Sequence, residues 1–148
     1  MTQRANGRQL DDRLRAAGLR LTPQRLAIYS ALVATQAHPT AQELHEQVSG
    51  RLPSLSQATV YNTLQTLVER GLVQELGDAG DGAVHYDADL SAHINLICTR
   101  CHRIQDFTEV HLPEMIDHVA ECSGFHIQGA RMAYYGLCPR CQAQLAAA

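Results

Sequence analysis

The stretch SQATVYNTLQTLVERGLVQEL, residues 56–76, carries a helix, its stop signal and the start of a strand. Ser56 is an N-cap, with a side-chain oxygen able to accept an amide of the first turn. Val60, Leu64, Leu67 and Val68 recur at helical spacing and make one apolar stripe. Gly71 stops a helix spanning about 57–70, since glycine enters the left-handed cap conformation without steric penalty. Leu72–Leu76 then reads as a strand, GDAGDGA as a turn, and Val84-His85-Tyr86-Asp87 as the returning strand. The opposite face of the helix holds Gln57, Thr59, Tyr61, Asn62 and Gln65, with no charge before Glu69. A generic solvated face carries Lys, Arg or Glu. A helix entering the major groove needs hydrogen-bonding and methyl-bearing side chains near its N-terminus.

Upstream, residues 9–17 form a short helix ended by Gly18. Thr22-Pro23 caps and opens a helix over about 23–35, with Leu26, Tyr29, Leu32 and Val33 on one face. His38-Pro39 breaks it. Thr40-Ala41-Gln42-Glu43 is a capping box that starts a helix over about 41–50, with Leu44 and Val48 inward. Three helices followed by a hairpin is the pattern of a winged helix, a pattern other small α+β domains share. Charge is distributed unevenly around it. Residues 1–77 hold 8 Arg against 6 acids and residues 78–148 hold 4 Arg against 9, so a net −3 conceals a basic front half and an acidic rear. That asymmetry fits a DNA-binding head on an acidic body, and equally an ordinary solvated surface. With aromatics at 5% and no Trp, stacking on single-stranded nucleic acid has few candidates. No apolar run approaches the ~20 residues of a membrane span. The N-terminus MTQRANGRQLDDRLRAAG lacks a signal-peptide core, so a cytoplasmic protein is expected.

Downstream, DADLSA (87–92) reads as a connector, giving domains at 1–86 and 87–148. Two short strands lie between Ile94 and Phe107. A helix over 113–122 turns Met115, Ile116 and Val119 inward, a strand covers 125–137, and the Ala-rich tail is frayed. Cys98-x-x-Cys101 with Cys138-x-x-Cys141 is the strongest chemical signal: two close thiol pairs in a chain expected to be cytoplasmic point to a tetrahedral zinc. Four thiolates leave no open coordination position, so such a zinc is structural. Cys122 reads as a small buried residue with no assigned role. A looser set is His38, Asp87, His93 and Asp106, with Asn95 sharing a strand face with His93. Imidazole and carboxylate together suit ferrous iron, manganese or zinc. Each of these histidines, like His45, His111, His118 and His126, reads alone as an ordinary surface or hydrogen-bonded residue.

Taken together, Arg20-Leu-Thr-Pro-Gln-Arg25, His38-Pro-Thr-Ala, Ser56-Gln-Ala-Thr-Val-Tyr-Asn-Thr-Leu64, Gly71-Leu-Val and the paired Cys-x-x-Cys motifs resemble the ferric uptake regulator (Fur) family. The resemblance covers about residues 9–142. It is closest to the peroxide-responsive PerR branch, through AHPTA, ATVYNTL, GLVQEL and Asp106-Phe107. It implies an α+β protein: an N-terminal winged helix-turn-helix domain and a C-terminal α/β dimerisation domain, acting as a homodimeric repressor on an inverted-repeat DNA operator. Cys98, Cys101, Cys138 and Cys141 match the family's structural zinc ligands. His38, Asp87, His93 and Asp106 match four of five ligands of its regulatory Fe(II) or Mn(II) site. The fifth position, usually His, is Asn95 here, a neutral and weaker ligand. Positions aligned with a second metal site of some iron-sensing members hold Ala92, Ile94, Pro113 and Ala130, which offer no donor side chain. Iron-sensing members usually have Glu where Asp106 stands, whereas PerR-like members have Asp.

The resemblance thus implies a metal-dependent, peroxide-sensing transcriptional repressor and not an enzyme. Tyr61, Asn62, Gln57 and Thr59 would contact bases or phosphates, and Arg20 and Arg25 phosphates. Two rival readings stand beside it. One is a manganese-, iron- or zinc-responsive uptake repressor without peroxide chemistry. The other is a zinc-ribbon thiol protein, reactive at Cys98 or Cys138, that ignores DNA.

Overall fold

A computed structural model describes residues 7–148, in two compact units that divide between Leu90 and Ser91. The division falls four residues after the expected 86/87 boundary. Asp87 still pairs with Gln74 in a hairpin, and Ala88 packs on the first unit's core. Arg4, part of the basic front end, lies outside the described residues.

The first unit holds four helices and a hairpin: α1 (Gly7–Ala16), α2 (Pro23–Ala34), α3 (Ala41–Ser49), α4 (Gln57–Glu69), β1 (Gln74–Asp78) and β2 (Val84–Asp87). Local chemistry sets the helix ends. Thr22 accepts the Arg25 amide, Ser56 the Thr59 amide, and Thr40 with Glu43 completes a reciprocal capping box. α1 and α4 end alike. Gly18 (φ +73°) and Gly71 (φ +68°) sit in the left-handed region. The amides of Leu19 and Leu72 reach back to the carbonyls of Leu14 and Leu67, both at 2.9 Å, as a Schellman cap requires. Ile28, Tyr29, Leu32, Leu44, Val48, Val60, Leu64 and Leu67 form the core, while Leu26, Val33 and Val68 are only partly buried against it. β1 begins two residues later than the Leu72–Leu76 strand expected, because the cap consumes Leu72. It then runs on through Gly77, with a bulge between Glu75 and Gly77. The tight turn beyond is tied by the Asp78 carboxylate, which accepts the amides of Gly80 (2.7 Å) and Gly82 (2.9 Å).

The second unit holds β3 (Ile94–Cys98), β4 (Ile104–Phe107), α5 (Leu112–Ser123), β5 (Met132–Gly136) and α6 (Pro139–Ala146). Its sheet has the order β4-β3-β5, antiparallel between β3 and β4 and parallel between β3 and β5. Four expectations are corrected here. The strand expected over 125–137 shortens to Met132–Gly136, since β3 offers only five pairing positions. The Ala-rich tail is the helix α6, opened by Pro139 at its first turn and favoured by alanine's helix propensity. Met115 and Val119 have the spacing of an inward stripe but are exposed, because no element of this unit packs over them. Cys122 is exposed rather than buried, on the same helix. No helix among the described residues is long and apolar enough to cross a membrane.

Candidate functional site

The four paired cysteines come together at one end of the second unit's sheet. Cys98 is the last residue of β3, Cys101 lies in the turn before β4, and Cys138 and Cys141 begin α6 directly after β5. Because β3 and β5 are parallel neighbours, both end on the same side, with Cys98 beside Gly136. All four sulfurs lie within 4.8 Å of one another, and Cys101 Sγ and Cys138 Sγ are 3.8 Å apart. Two sulfurs each ~2.3 Å from one zinc at the tetrahedral angle are separated by ~3.8 Å. The cluster therefore fits zinc with little adjustment. The amide of Cys138 donates to Cys98 Sγ (3.4 Å). Donation by the amides of Cys138, Cys101 and Arg100 pulls the Cys98 thiol down to about 5. Burial and the neighbouring sulfurs push Cys141 up to about 12. The backbone amides thus favour the thiolate at Cys98, while burial and the neighbouring sulfurs disfavour it at Cys141. Arg140 lies beside the cluster, and hydrogen bonding to Cys101 with the charge of the thiolates raises its own affinity for a proton. His102, which follows Cys101, takes a left-handed conformation (φ +59°) that closes the turn.

The looser constellation divides between the units. In the first, His38 and Asp87 are both buried, with His38 Nε2 3.5 Å from Asp87 Oδ2. In the second, His93 Nε2 lies 3.4 Å from Asp106 Oδ1. Both separations exceed a good N–H···O bond. They approach the ~3–3.5 Å between two donors that each sit ~2.1 Å from one ion. His93 donates from Nδ1 to the Ser91 carbonyl (2.8 Å), which leaves the lone pair on Nε2, the nitrogen that faces Asp106. Asn95 is buried directly across the β3–β4 ladder from Asp106, and its Oδ1 has no hydrogen-bond partner among the described residues. A buried amide oxygen in that state has acceptor capacity to give to a cation.

On α4, Tyr61 is 53% exposed and stands out from the apolar stripe; Gln57, Asn62 and Gln65 are exposed with it. Thr59 is half-buried, and its hydroxyl is engaged with Ser56 Oγ at 2.8 Å. Arg20 is exposed. Arg25 is half-buried and donates back to the Arg20 carbonyl, so it braces the loop that carries Arg20. His45 is ordinary, as expected, with Nε2 bonded to the Leu55 carbonyl (2.8 Å). The sequence reading passed over His85. It alternates with Asp87 on β2 and so shares its face, which is the period-two signal that could have found it.

Four helices, a hairpin and an exposed helix face uncharged before Glu69, joined in one chain to a sheet unit with a tetrathiol cluster, define a metal-dependent winged-helix regulator of transcription. The ferric uptake regulator family model matches residues 16–135. The chain is 41% identical over 128 residues to the peroxide operon regulator of Bacillus subtilis, covering 86% of this chain and 88% of that one. It is similar in structure to the Campylobacter jejuni peroxide stress regulator, with a TM-score of 0.73 and 31% identity over 90% of this chain and 97% of that one. The Helicobacter pylori ferric uptake regulator shares the fold, with a TM-score of 0.79 and 21% identity over 96% of this chain and 97% of that one. The chain belongs to the ferric uptake regulator family.

Proposed function

We propose that this chain is a homodimeric repressor that binds an inverted-repeat operator under the control of one Fe(II) or Mn(II) ion, and that it senses peroxide when the ion is iron. The pairing of buried His93 with half-buried Asp106, with His93 in the tautomer that presents Nε2, carries this reading. His38, Asp87, His93, Asn95 and Asp106 would hold the regulatory ion, and Cys98, Cys101, Cys138 and Cys141 a structural zinc. Asp87 and His93 are six residues apart, so the connector cannot separate them by more than about 20 Å. A shared ion ties the first unit to the second. In a dimer, that tie sets the spacing of the two α4 helices against two half-sites.

The domain roles follow. The first unit binds DNA, with Tyr61, Asn62 and Gln57 toward base edges, Thr59 contributing its methyl, and Arg20, braced by Arg25, toward phosphate. The second unit dimerises. Its exposed Leu96, Val119, Phe125, Tyr134 and Tyr135 are more apolar surface than so small a unit ordinarily leaves in water. The chain works inside the cell as a single-use switch, with no turnover.

Bound iron would supply the activation of peroxide, and the His38 and His93 imidazoles, as its ligands, would be the groups of the chain open to oxidation there. In net terms a ring C–H would become C–O–H and peroxide would leave as water. The altered imidazole would no longer donate to the ion. Intact-mass spectrometry of zinc-loaded protein tests this reading. Peroxide should add one oxygen at His38 or His93 with Fe(II) and none with Mn(II). An unmodified chain with both ions would favour a metal-uptake repressor.

Asn95 is the observation that favours that second reading, because an amide oxygen binds late divalent ions more weakly than imidazole. Asn95→His should tighten Mn(II) binding by about tenfold, the order found for changes around metal ligands. Isothermal titration would show it, and unchanged affinity would place residue 95 outside the ion's shell.

A further inference from the structure

His38, a ligand in the reading above, has a backbone that does not hold itself. Its φ is +50°, a left-handed conformation costly for a residue with a Cβ. Such a residue persists only where its surroundings over-determine it. Contacts from β2 contribute to this. One is the antiparallel bridge of Thr40 with His85, in which the Tyr86 amide donates to the Pro39 carbonyl (3.1 Å). Another is a side chain: the buried His85 donates from Nδ1 to the His38 carbonyl at 2.6 Å. The other ring nitrogen, Nε2, lies 2.9 Å from Asp81 Oδ2 in the hairpin turn. The ring thus bridges the His38 carbonyl and the Asp81 carboxylate. Asp81 is in turn fixed by the Ala83 amide, which donates to its other oxygen (3.2 Å).

We propose that His85 is a positioning residue for the regulatory ion: a two-ended strut that runs from Asp81 in the hairpin turn to the carbonyl of His38. It holds that ligand in its left-handed geometry. The imidazole does not touch the ion. Its work is to keep the His38 ring aimed at Asp87 before the ion arrives, so that no reordering opposes binding. Through Asp81, the tip of the hairpin and the ligand move as one piece. A buried histidine that merely satisfied two acceptors would leave metal affinity alone.

The proposal rests on the metal reading, and the experiment separates the two. Mn(II) affinity is measured by electron paramagnetic resonance on the zinc-loaded full chain, with zinc content and melting temperature recorded for each variant. His85→Leu removes both ring contacts and should weaken Mn(II) binding about tenfold. Asp81→Ala, a change in an exposed turn that does not threaten folding, should weaken it in the same direction. His85→Arg restores donors toward both acceptors and should bring affinity back to within about threefold of the parent. If His38→Ala abolishes binding while Asp81→Ala and His85→Leu bind as the parent does, the strut is refuted and the metal reading stands. Failure of His85→Arg to rescue would also refute it, since packing rather than donation would then be at work. If His38→Ala itself binds normally, the metal reading falls and the strut with it.

Discussion

Cys138→Ser leaves the protein without zinc and the second unit without its fold. The cluster has three remaining sulfurs, and the serine oxygen does not ionise near neutral pH to replace the fourth. Structural zinc in small folds contributes on the order of 10 kcal/mol to folding. The second unit has little else to stand on. Its buried apolar set is short (Ile94, Ile97, Ile104 and Leu112), and two of its remaining buried side chains, Cys98 and Cys141, are cluster members. Zinc per chain, measured by mass spectrometry of acid-released metal, should fall from one to near zero. Amide exchange should lose protection in β3, β5 and α6 while α2 and α4 keep theirs, since the first unit's core holds no cluster residue. Unchanged zinc content and unchanged protection in β5 would refute a structural zinc.

Tyr61→Ala is expected to remove most sequence-specific DNA binding and leave both units folded. The ring is exposed on α4, so its loss opens no cavity. One good base contact discriminates by roughly 1–3 kcal/mol, which is about 5- to 150-fold in affinity for an operator half-site. In a gel shift the loss should be large on the operator and small on random DNA. Arg20→Ala should act differently, lowering affinity for both DNAs alike and reducing the salt slope by about one. Equal losses for Tyr61→Ala on both DNAs would show that α4 does not read bases.

The helix boundaries in the first unit were legible because their signals are local. Thr22, Thr40 with Glu43, and Ser56 each make the cap bond their residue type anticipates, and Gly18 and Gly71 stop their helices. The second unit was less legible. The period of Met115, Ile116 and Val119 marks a helix, but period does not say what covers the face, and within this unit nothing does. Strand length over 125–137 was set by the partner strand, a constraint absent from the segment's own composition. His85 was missed because its role depends on His38, 47 residues away, and on a turn whose shape comes from glycines.

By itself, the sequence determined residue chemistry at fixed spacing: the caps, the apolar stripe and uncharged face of α4, and the two thiol pairs. Each depends on atoms within a few residues of one another, where the covalent chain sets the distance. Tertiary structure alone decided which distant groups meet. Parallel pairing of β3 with β5 brings two Cys-x-x-Cys turns to one end of a sheet. Return of β2 past His38 brings the His85 ring to its carbonyl, where His38 takes a left-handed backbone conformation. Those contacts depend on register and closure across long loops, whose entropy is repaid only when the whole unit folds.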